Sequence, residues 1–249
     1  VNVVHEWATS VANGSKVLKV ASGGSIPYDK LILSPGISLK YDSVPGYSPA
    51  VQSRMPHAWT SGTQVQLLRN RVMNMKQGGT FVMVPPPNPY RCPPGPYERV
   101  SMIAHIFKQN NPTAKIVILD PKPKFSKQGL FMAGWDKHYP GMIEWIDPDT
   151  HGGIKAINAE KMEFETDLDT FKADAACVVP AQQAGTIAMA AGVNDGDWCP
   201  TIPASMQSKS DPNIYVLGDA SVASSMPKSG FSANSQAKVA ANAIRGELT

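Results

Sequence analysis

Blocks of strand-like and helix-like hydrophobic spacing alternate in the middle of the chain. The run Gly79–Val84 reads as a short buried strand, and Lys115–Asp120 reads as a second strand that ends in an acidic residue. Between them, the segment Tyr97–Gln109 repeats apolar side chains at helical spacing, at Val100, Ile103, Ala104 and Phe107. A strand, a helix and a second strand in this order predict a βαβ unit with parallel strands.

Weaker periodicities on both sides extend the pattern. Residues 57–77 are predicted as a helix that has Val65, Leu68, Val72 and Met75 on one face. Further strands are expected at 1–5, 16–20, 28–36, 152–155, 161–165, 171–180 and 213–217, and a further helix at 182–191, ended by Gly192. The chain is therefore predicted to be an α/β protein.

The turn of the βαβ unit departs from a nucleotide-binding turn. In dinucleotide-binding folds, a GxGxxG sequence follows the first strand and lets the backbone wrap a pyrophosphate. Here the strand is followed by Pro85-Pro86-Pro87-Asn88-Pro89, and prolines offer no backbone N–H. Cys92 follows this turn, and Glu98 lies in the first turn of the predicted helix. The pattern favours a thiol site, with a buried structural cysteine as the alternative.

Composition narrows the function classes. The 249 residues contain 42% hydrophobic side chains and carry a formal net charge of +3. No run of about 18 apolar residues occurs, so no membrane span is predicted. The positive charge is spread along the chain without a Lys/Arg block, which argues against nucleic acid as a partner.

Other reactive side chains allow several interpretations. Three cysteines are an odd number, so at least one lacks a partner within the chain. Cys177 lies in an apolar strand and is predicted to be inert core, whereas Cys199 is expected in a turn and could pair with Cys92. Asp120 occupies the place of the ribose-binding acid of NAD enzymes, but without glycines it is expected to cap a loop. The histidines show no metal-ligand spacing.

Two turns resemble flavin-binding fingerprints. The segment Tyr28–Gly36, a strand that ends in Ser34-Pro35-Gly36, is similar to the strand that returns the chain to the flavin domain in two-dinucleotide oxidoreductases. The strand that ends in Gly218-Asp219-Ala220 resembles the second flavin fingerprint of disulfide-reductase-like flavoproteins. In such proteins the Gly allows close backbone approach, the Asp accepts hydrogen bonds from ribityl hydroxyls, and the helix starting near Ser232 would direct its dipole at the flavin.

The full set of motifs resembles one family. The sequences Cys92-Pro93-Pro94-Gly95-Pro96-Tyr97-Glu98, Met226-Pro227-Lys228-Ser229-Gly230 and Ser232-Ala233-Asn234-Ser235-Gln236 are similar to the flavoprotein subunit of flavocytochrome c sulfide dehydrogenase, a relative of sulfide:quinone oxidoreductase. The resemblance extends along the chain through Pro56–Trp59, Phe125–Gln128 and Trp198–Pro200. It implies two Rossmann-like parts of the FAD/NAD(P)-binding type, the first interrupted by the second.

The resemblance also implies a chemistry. Cys92 would form a disulfide beside FAD that hydrosulfide attacks, Glu98 would accept a proton, and a c-type cytochrome subunit would take the electrons in the periplasm. The flavin contacts it implies are Ser34, Pro35, Gly36, Gly218, Asp219, Ala220, Lys228, Ser229 and Gly230, with capping of a turn as the alternative for Lys228. Family members are longer at both ends, so the covalent FAD attachment site is expected before Val1 and the second redox cysteine after Thr249.

The two fingerprints flank the Cys92 segment in sequence, which predicts that one domain is inserted into another. Residues 1–46 and 184–249 are predicted to form the two pieces of a flavin domain, with 47–183 inserted as an NAD-binding-like domain that carries Cys92. An NAD(P)H-linked disulfide oxidoreductase is the first alternative, against which the proline-filled turn speaks. A non-catalytic fragment that binds a protein partner is the second.

Overall fold

A computed structural model describes residues 2–249, and strands and helices alternate along them. The strands are β1 (Ala8–Ala12), β2 (Val17–Val20), β3 (Ser25–Pro27), β4 (Leu31–Leu33), β5 (Ile37–Lys40), β6 (Thr80–Val84), β7 (Lys115–Leu119), β8 (Ile143–Ile146), β9 (Ile154–Asn158), β10 (Glu163–Thr166), β11 (Thr170–Lys172), β12 (Ala175–Val178), β13 (Ala181–Ala184), β14 (Cys199–Pro200), β15 (Ile214–Val216) and β16 (Ser221–Val222). The helices are α1 (Thr63–Met73), α2 (Gly95–Asn110), α3 (Gln128–His138), α4 (Pro148–His151), α5 (Thr186–Ala190) and α6 (Gly230–Leu248).

The residues divide into two compact units. One, here the terminal unit, contains the chain up to Leu39 together with Pro89–Cys92 and Gln182–Thr249. The other, the central unit, contains Lys40–Asn88 and Pro93–Ala181. Cys92 therefore belongs to the terminal unit, although the sequence on both sides of its short segment belongs to the central unit.

A four-stranded parallel sheet of order β12-β6-β7-β8 forms the centre of the central unit. Its strands are nearly continuous apolar runs because both faces are covered, as parallel sheets require. Helix α2 connects β6 to β7 and buries Val100, Ile103, Ala104 and Phe107, the residues that its sequence spacing singled out. The predicted βαβ unit is confirmed.

An antiparallel sheet of order β11-β10-β9 accompanies the parallel sheet in the central unit. Phe164 on β10 is fully buried and belongs to a hydrophobic cluster that also contains Val82, Val84 and Val178 of the parallel sheet. The chain returns from this antiparallel sheet to the parallel one through β12.

Short sheets and one long helix build the terminal unit. Strands β1, β2 and β3 form an antiparallel meander, and β4 pairs in parallel with β15. Strand β14 pairs with β16 and β13 pairs with β5. Residues of β4, β13, β14 and β15 share one core with α5, and Ala240 of α6 packs with Tyr215 and Leu217 in a second cluster.

Two local predictions were wrong. Of residues 1–5, Val1 lies outside the described residues, and 2–5 form no strand because Val3 and Val4 are exposed and pairing with β2 starts at Ala8. The segment 182–191 is half strand and half helix. Its first residues extend to pair with β5, and a Cβ on Gly185 would lie 2.6 Å from the Pro35 carbonyl oxygen, so the backbone passes close to its neighbour there.

Among residues 2–249, no helix combines the length and the apolar character needed to cross a bilayer. Nor do these residues contain a group of three or more His, Cys, Asp or Glu side chains arranged to hold a metal ion.

Candidate functional site

The two predicted flavin fingerprints are neighbours in the terminal unit. Parallel pairing of β4 with β15 brings the ends of both strands to the same edge, where the Leu217 N–H donates to the Leu33 carbonyl oxygen at 2.9 Å. Immediately beyond, a Cβ built on Gly218 would lie 3.4 Å from the Ser34 hydroxyl oxygen. Gly218 has a φ of +69°, a conformation that favours glycine. The Ser34–Gly36 and Gly218–Ala220 turns therefore form one surface.

The Gly218–Ala220 turn is fixed from helix α6. Gln236 of that helix is buried, and its side-chain oxygen accepts the Gly218 N–H at 2.7 Å. The Ser221 hydroxyl donates to the Gly218 carbonyl oxygen at 2.9 Å. Burial raises the pKa of the half-buried Asp219 carboxyl, while the positive charges of Arg91 and Lys228 act in the opposite direction. The Ala220 side chain is fully buried, so only its backbone could face a ligand.

Lys228 holds the same turn through its ammonium group. Its Nζ donates to the carbonyl oxygens of Asp219 at 2.7 Å and Ser221 at 3.0 Å, and lies 3.6 Å from the Trp198 ring centroid. Burial lowers the pKa of Lys228 to about 8, opposed by the nearby Asp219 and Cys199. The ammonium therefore binds backbone and an aromatic face, which is the turn-capping role that the sequence left open beside a flavin contact.

Helix α6 begins directly after Lys228. The Ser229 hydroxyl oxygen accepts the Ser232 N–H at 3.2 Å and so caps the helix, which starts at Gly230. A 19-residue helix carries a partial positive charge at this end. The predicted contacts Lys228, Ser229 and Gly230 thus lie at one helix start, next to the Gly218 turn.

Cys92 lies against this same region. Its backbone N–H donates to the Lys228 carbonyl oxygen at 2.8 Å, its side chain is exposed, and its φ is +59°. The preceding Arg91 N–H donates to Gln182 Oε1 at 2.9 Å. Hydrogen bonds from two consecutive backbone N–H groups, one to a carbonyl oxygen and one to a side chain, therefore fix the thiol-bearing loop within the terminal unit.

The other two cysteines are buried. Cys177 is fully buried in β12, and burial raises the pKa of its thiol. Cys199 lies in strand β14, where the sequence predicted a turn, and burial raises the pKa of its thiol to about 11. None of the three sulfur atoms is in a disulfide within the described residues, and only Cys92 is exposed.

Glu98 belongs to the central unit. It lies in the first turn of α2, its side chain is exposed, and its N–H donates to the Pro94 carbonyl oxygen at 3.0 Å. A carboxylate at a helix start is favourable whatever its chemical role. The sequence interval of six residues from Cys92 remains the argument for Glu98 as a proton acceptor.

Asp120, which stands where NAD enzymes place the acid that binds the ribose, is bonded to other side chains of the central unit. Asp120 at the end of β7 is fully buried, and it accepts hydrogen bonds from the Tyr97 hydroxyl at 2.5 Å and from Trp145 Nε1 at 3.0 Å. The Lys122 ammonium lies 2.7 Å from the same carboxylate and also donates to the Pro86 carbonyl oxygen at 2.8 Å. Lys122 also closes the predicted loop through its N–H, 3.1 Å from Asp120 Oδ1. Asp120 therefore caps the loop, as predicted, and also joins the Tyr97, Trp145 and Lys122 side chains in one buried network.

Gln182 is a site residue that the sequence analysis missed. It is 3% exposed, its Oε1 holds the Arg91 N–H, and its Nε2 is buried without a hydrogen-bond partner among residues 2–249. Its position within a stretch predicted as helix concealed its role. The alternation of burial along β13, with Gln182 and Ala184 inside, is the signal that could have revealed it.

These residues suit a flavin. The Gly218 turn presents backbone without a side chain, and the α6 start offers positive potential for charge that develops on reduction. Asp219 supplies a carboxylate beside them.

Solved structures with a similar fold include an oxidoreductase and two reductases, at low sequence identity. The sulfide:quinone oxidoreductase from Aquifex aeolicus matches with a TM-score of 0.79 and 18% identity over 98% of this chain and 60% of its own. A ferredoxin reductase from Rhodopseudomonas palustris matches with a TM-score of 0.69 and 20% identity over 96% of this chain and 58% of its own. Putidaredoxin reductase, in its covalent complex with putidaredoxin, matches with a TM-score of 0.68 and 14% identity over 96% of this chain and 57% of its own.

The comparisons confirm the predicted α/β fold of Rossmann type. They also show that the chain spans about 60% of the length of the structures it matches.

A family model supplies the closer relationship. Residues 65–180 match the model described as sulfide dehydrogenase [flavocytochrome c] flavoprotein chain, central. The matched segment includes the proline-filled turn, Cys92 and Glu98, whereas Met226–Gly230 and Ser232–Gln236, which also carried the sequence resemblance, lie outside it. This segment of the chain is therefore similar to the central part of flavocytochrome c sulfide dehydrogenase flavoprotein chains.

Proposed function

We propose that the protein is a flavin-dependent oxidoreductase that oxidises sulfide to sulfur or polysulfide at Cys92. The family match at residues 65–180 supports the oxidoreductase class. The observation that carries the proposal is the 2.8 Å hydrogen bond from the Cys92 N–H to the Lys228 carbonyl oxygen. It fixes an exposed thiol to the segment that leads into the capped start of α6, beside both fingerprint turns.

The chemistry starts from a disulfide that includes Cys92. Hydrosulfide attacks one sulfur, the S–S bond breaks, one sulfur keeps the added sulfur as a persulfide, and the other leaves as a thiolate with the electron pair. FAD, when bound, supplies a two-electron acceptor. Since Cys177 and Cys199 are buried, we propose that the partner cysteine lies outside this segment of the protein.

The remaining residues hold the cofactor and manage protons. We assign FAD contacts to Ser34, Pro35, Gly36, Gly218, Asp219, Ala220, Lys228, Ser229 and Gly230, with Lys228 acting through the turn that its ammonium fixes. Glu98 accepts the proton that hydrogen sulfide releases, since a carboxylate at an exposed helix start exchanges protons readily with solvent. In this scheme the flavin domain comprises 1–46 and 184–249, and 47–183 is the inserted domain.

A c-type cytochrome subunit is the proposed electron acceptor, and the periplasm the proposed compartment. The family description, which names flavocytochrome c, supports the cytochrome as acceptor. The periplasm is proposed because c-type cytochromes are matured outside the cytoplasm. An NADH-linked reaction is disfavoured because Asp120, the acid that would bind a ribose, is fully buried and already occupied by Tyr97, Trp145 and Lys122.

The test is the visible spectrum of the complete flavoprotein subunit. We expect flavin bands that sulfide bleaches and NADH does not. In Cys92→Ser, the bands should persist and sulfide should no longer bleach them, because serine cannot form the disulfide. The matched control is Cys199→Ser, which alters a buried thiol of the same unit. Bleaching of Cys92→Ser at the parent rate would refute the proposal, as would NADH bleaching or a protein without flavin.

A further inference from the structure

An open pocket lies at the amino ends of β7 and β8 in the central unit. Its volume is about 360 Å³, and residues from the end of α2, the start of β7, the end of α3 and the turn before β8 line it. Four of the lining side chains are basic and none is acidic: Lys108, Lys115, Lys137 and His138. Nucleotide sites of parallel α/β sheets lie at the opposite edge, beyond the carboxyl ends of the strands. The pocket is therefore distinct from a dinucleotide site, and none of its lining residues belongs to the terminal unit.

The three lysines of this pocket are exposed, and none of them takes part in an ion pair among residues 2–249. Lys108 Nζ donates to the His138 carbonyl oxygen at 3.0 Å, and Lys115 Nζ donates to the Gly141 carbonyl oxygen at 2.6 Å. Lys137 Nζ makes no hydrogen bond within the part of the chain that the structure describes. Because an ammonium has three N–H donors, each of these groups retains at least two that the protein does not use.

Two helix ends make the positive charge of the pocket smaller than its side chains alone indicate. Helix α2 ends at Asn110 and α3 ends at His138, and the carboxyl end of a helix carries about −0.5 of an elementary charge. The two ends therefore offset about one of the three lysine charges, which leaves roughly +2. The acidic residues nearest in sequence, Asp136 and Glu144, do not line the pocket. This balance favours a ligand that carries two or more negative charges.

The turn before β8 adds an open backbone segment to the pocket. The Met142 N–H closes this turn by donating to the Tyr139 carbonyl oxygen at 3.0 Å, and Gly141 within it has a φ of +69°. A Cβ on Gly141 would meet no atom within 4 Å, and the Gly141 N–H makes no hydrogen bond within the described residues. The pocket volume of about 360 Å³ lies within the range of about 300–1,000 Å³ that is typical of small-molecule sites. A small polyanion therefore fits the pocket in both size and charge.

We propose that this pocket binds a diphosphate group, either free as pyrophosphate or as part of a nucleoside diphosphate. Lys108, Lys115 and Lys137 approach from three different elements, and a tetrahedral phosphate presents acceptor oxygens in several directions, whereas a carboxylate presents two in one plane. The Gly141 N–H provides a further donor. The inference concerns a second site and does not depend on the proposed sulfide chemistry.

The test is isothermal titration calorimetry of the complete protein with pyrophosphate, with adenosine diphosphate and with a hexaglutamate peptide, each at low and at high salt. Lys137→Gln removes a charge that no internal hydrogen bond uses, so the fold should be preserved, and Lys137→Arg retains that charge. Lys124→Gln is the matched control, because Lys124 is an exposed lysine of the same unit that follows the carboxyl end of β7, at the opposite edge of the sheet.

We expect pyrophosphate to bind at one saturable site with a Kd below about 1 mM at low salt, and more weakly at high salt, where exposed charges are screened. Lys137→Gln should raise the Kd by about 3- to 5-fold, the effect of one exposed charge pair, whereas Lys137→Arg and Lys124→Gln should bind as the parent does. Tighter binding of adenosine diphosphate would support the nucleoside form, and tighter binding of pyrophosphate the free form.

Three results would overturn the inference. The first is the absence of saturable binding of either diphosphate, and the second is an equal loss of affinity in Lys137→Gln and Lys124→Gln. The third is a hexaglutamate peptide that binds more tightly than both diphosphates, since the pocket would then be an interface for an acidic protein segment.

Discussion

The backbone N–H of Cys92 donates to the carbonyl oxygen of Lys228 at 2.8 Å, so residues 136 positions apart in sequence are directly bonded. Cys92 adopts a φ of +59°, which is uncommon for a residue with a side chain. The bond helps to hold that conformation, and the Lys228 ammonium at the same time binds the carbonyl oxygens of Asp219 and Ser221. One lysine therefore connects the exposed thiol to the Gly218 turn.

The first prediction concerns thiol accessibility. Among the three cysteines of this chain, Cys92 should react rapidly with a small aromatic disulfide reagent in the reduced native protein, and Cys177 and Cys199 only after unfolding, because Cys92 is exposed while the other two are buried. Burial also raises the pKa of the two buried thiols, which lowers their thiolate fraction. Absorbance of the released thiolate gives the count, and Cys92→Ser should abolish the rapid phase. Rapid labelling of Cys177 or Cys199, located by peptide mass spectrometry, would contradict the structure.

The second prediction concerns proton transfer. Glu98→Gln in the complete subunit should slow sulfide-dependent flavin reduction by about 10²-fold at neutral pH, the lower range for loss of a positioned base. The difference from the parent should shrink as pH rises, because sulfide then arrives deprotonated. Stopped-flow absorbance across a pH series measures it. Glu144→Gln, which changes another exposed carboxylate of the central unit, is the control. An effect of equal size at every pH would assign Glu98 to structure instead.

The third prediction concerns the buried Asp120 network. Asp120→Asn should destabilise the protein by about 3–5 kcal/mol, because it leaves the buried Lys122 ammonium without its carboxylate. Tyr97→Phe should cost less, about 1.5–3 kcal/mol, since it removes one hydrogen bond to a charged acceptor. Urea unfolding followed by circular dichroism measures both. Asp136→Asn, on the exposed side of α3, should change stability by less than about 0.5 kcal/mol; equal effects at both aspartates would refute the network.

The fourth prediction concerns acid stability. His57 is 1% exposed, its Nδ1 accepts the Trp59 N–H at 2.9 Å, and the Arg99 guanidinium donates to its carbonyl oxygen at 2.9 Å. Burial, with a smaller contribution from the Arg99 charge, lowers the pKa of His57 to about 4. Between pH 6.5 and 4 the unfolded state therefore binds a proton that the native state does not, and stability falls as the pH falls.

We expect this loss to be on the order of 2 kcal/mol across that window. His57→Gln should flatten the pH dependence of the urea midpoint, because glutamine does not titrate. His138→Gln removes an exposed imidazole of the same unit and serves as the control. A parent midpoint that stays constant from pH 6.5 to 4 would contradict the buried, neutral state of His57.

The central βαβ unit could be predicted from the sequence because its signals are local. The apolar runs of β6 and β7 and the 3.6-residue spacing along α2 specify a strand, a helix and a strand wherever they fold. The prolines at 85–89 and Cys92 could be recognised for the same reason: they stand at a fixed place in a local motif.

Only the tertiary structure decided which distant residues share a surface. Pairing of β13 with β5 extended residues 181–184 into a strand, overriding their helical spacing, and this brought the Gln182 amide to the Cys92 loop. Cys199 was likewise buried by pairing with β16. The sequence by itself determined the β6-α2-β7 unit and identified Cys92 as a candidate reactive thiol. The position of that thiol beside Lys228 depended on long-range backbone hydrogen bonds, which leave no periodic signal in a sequence.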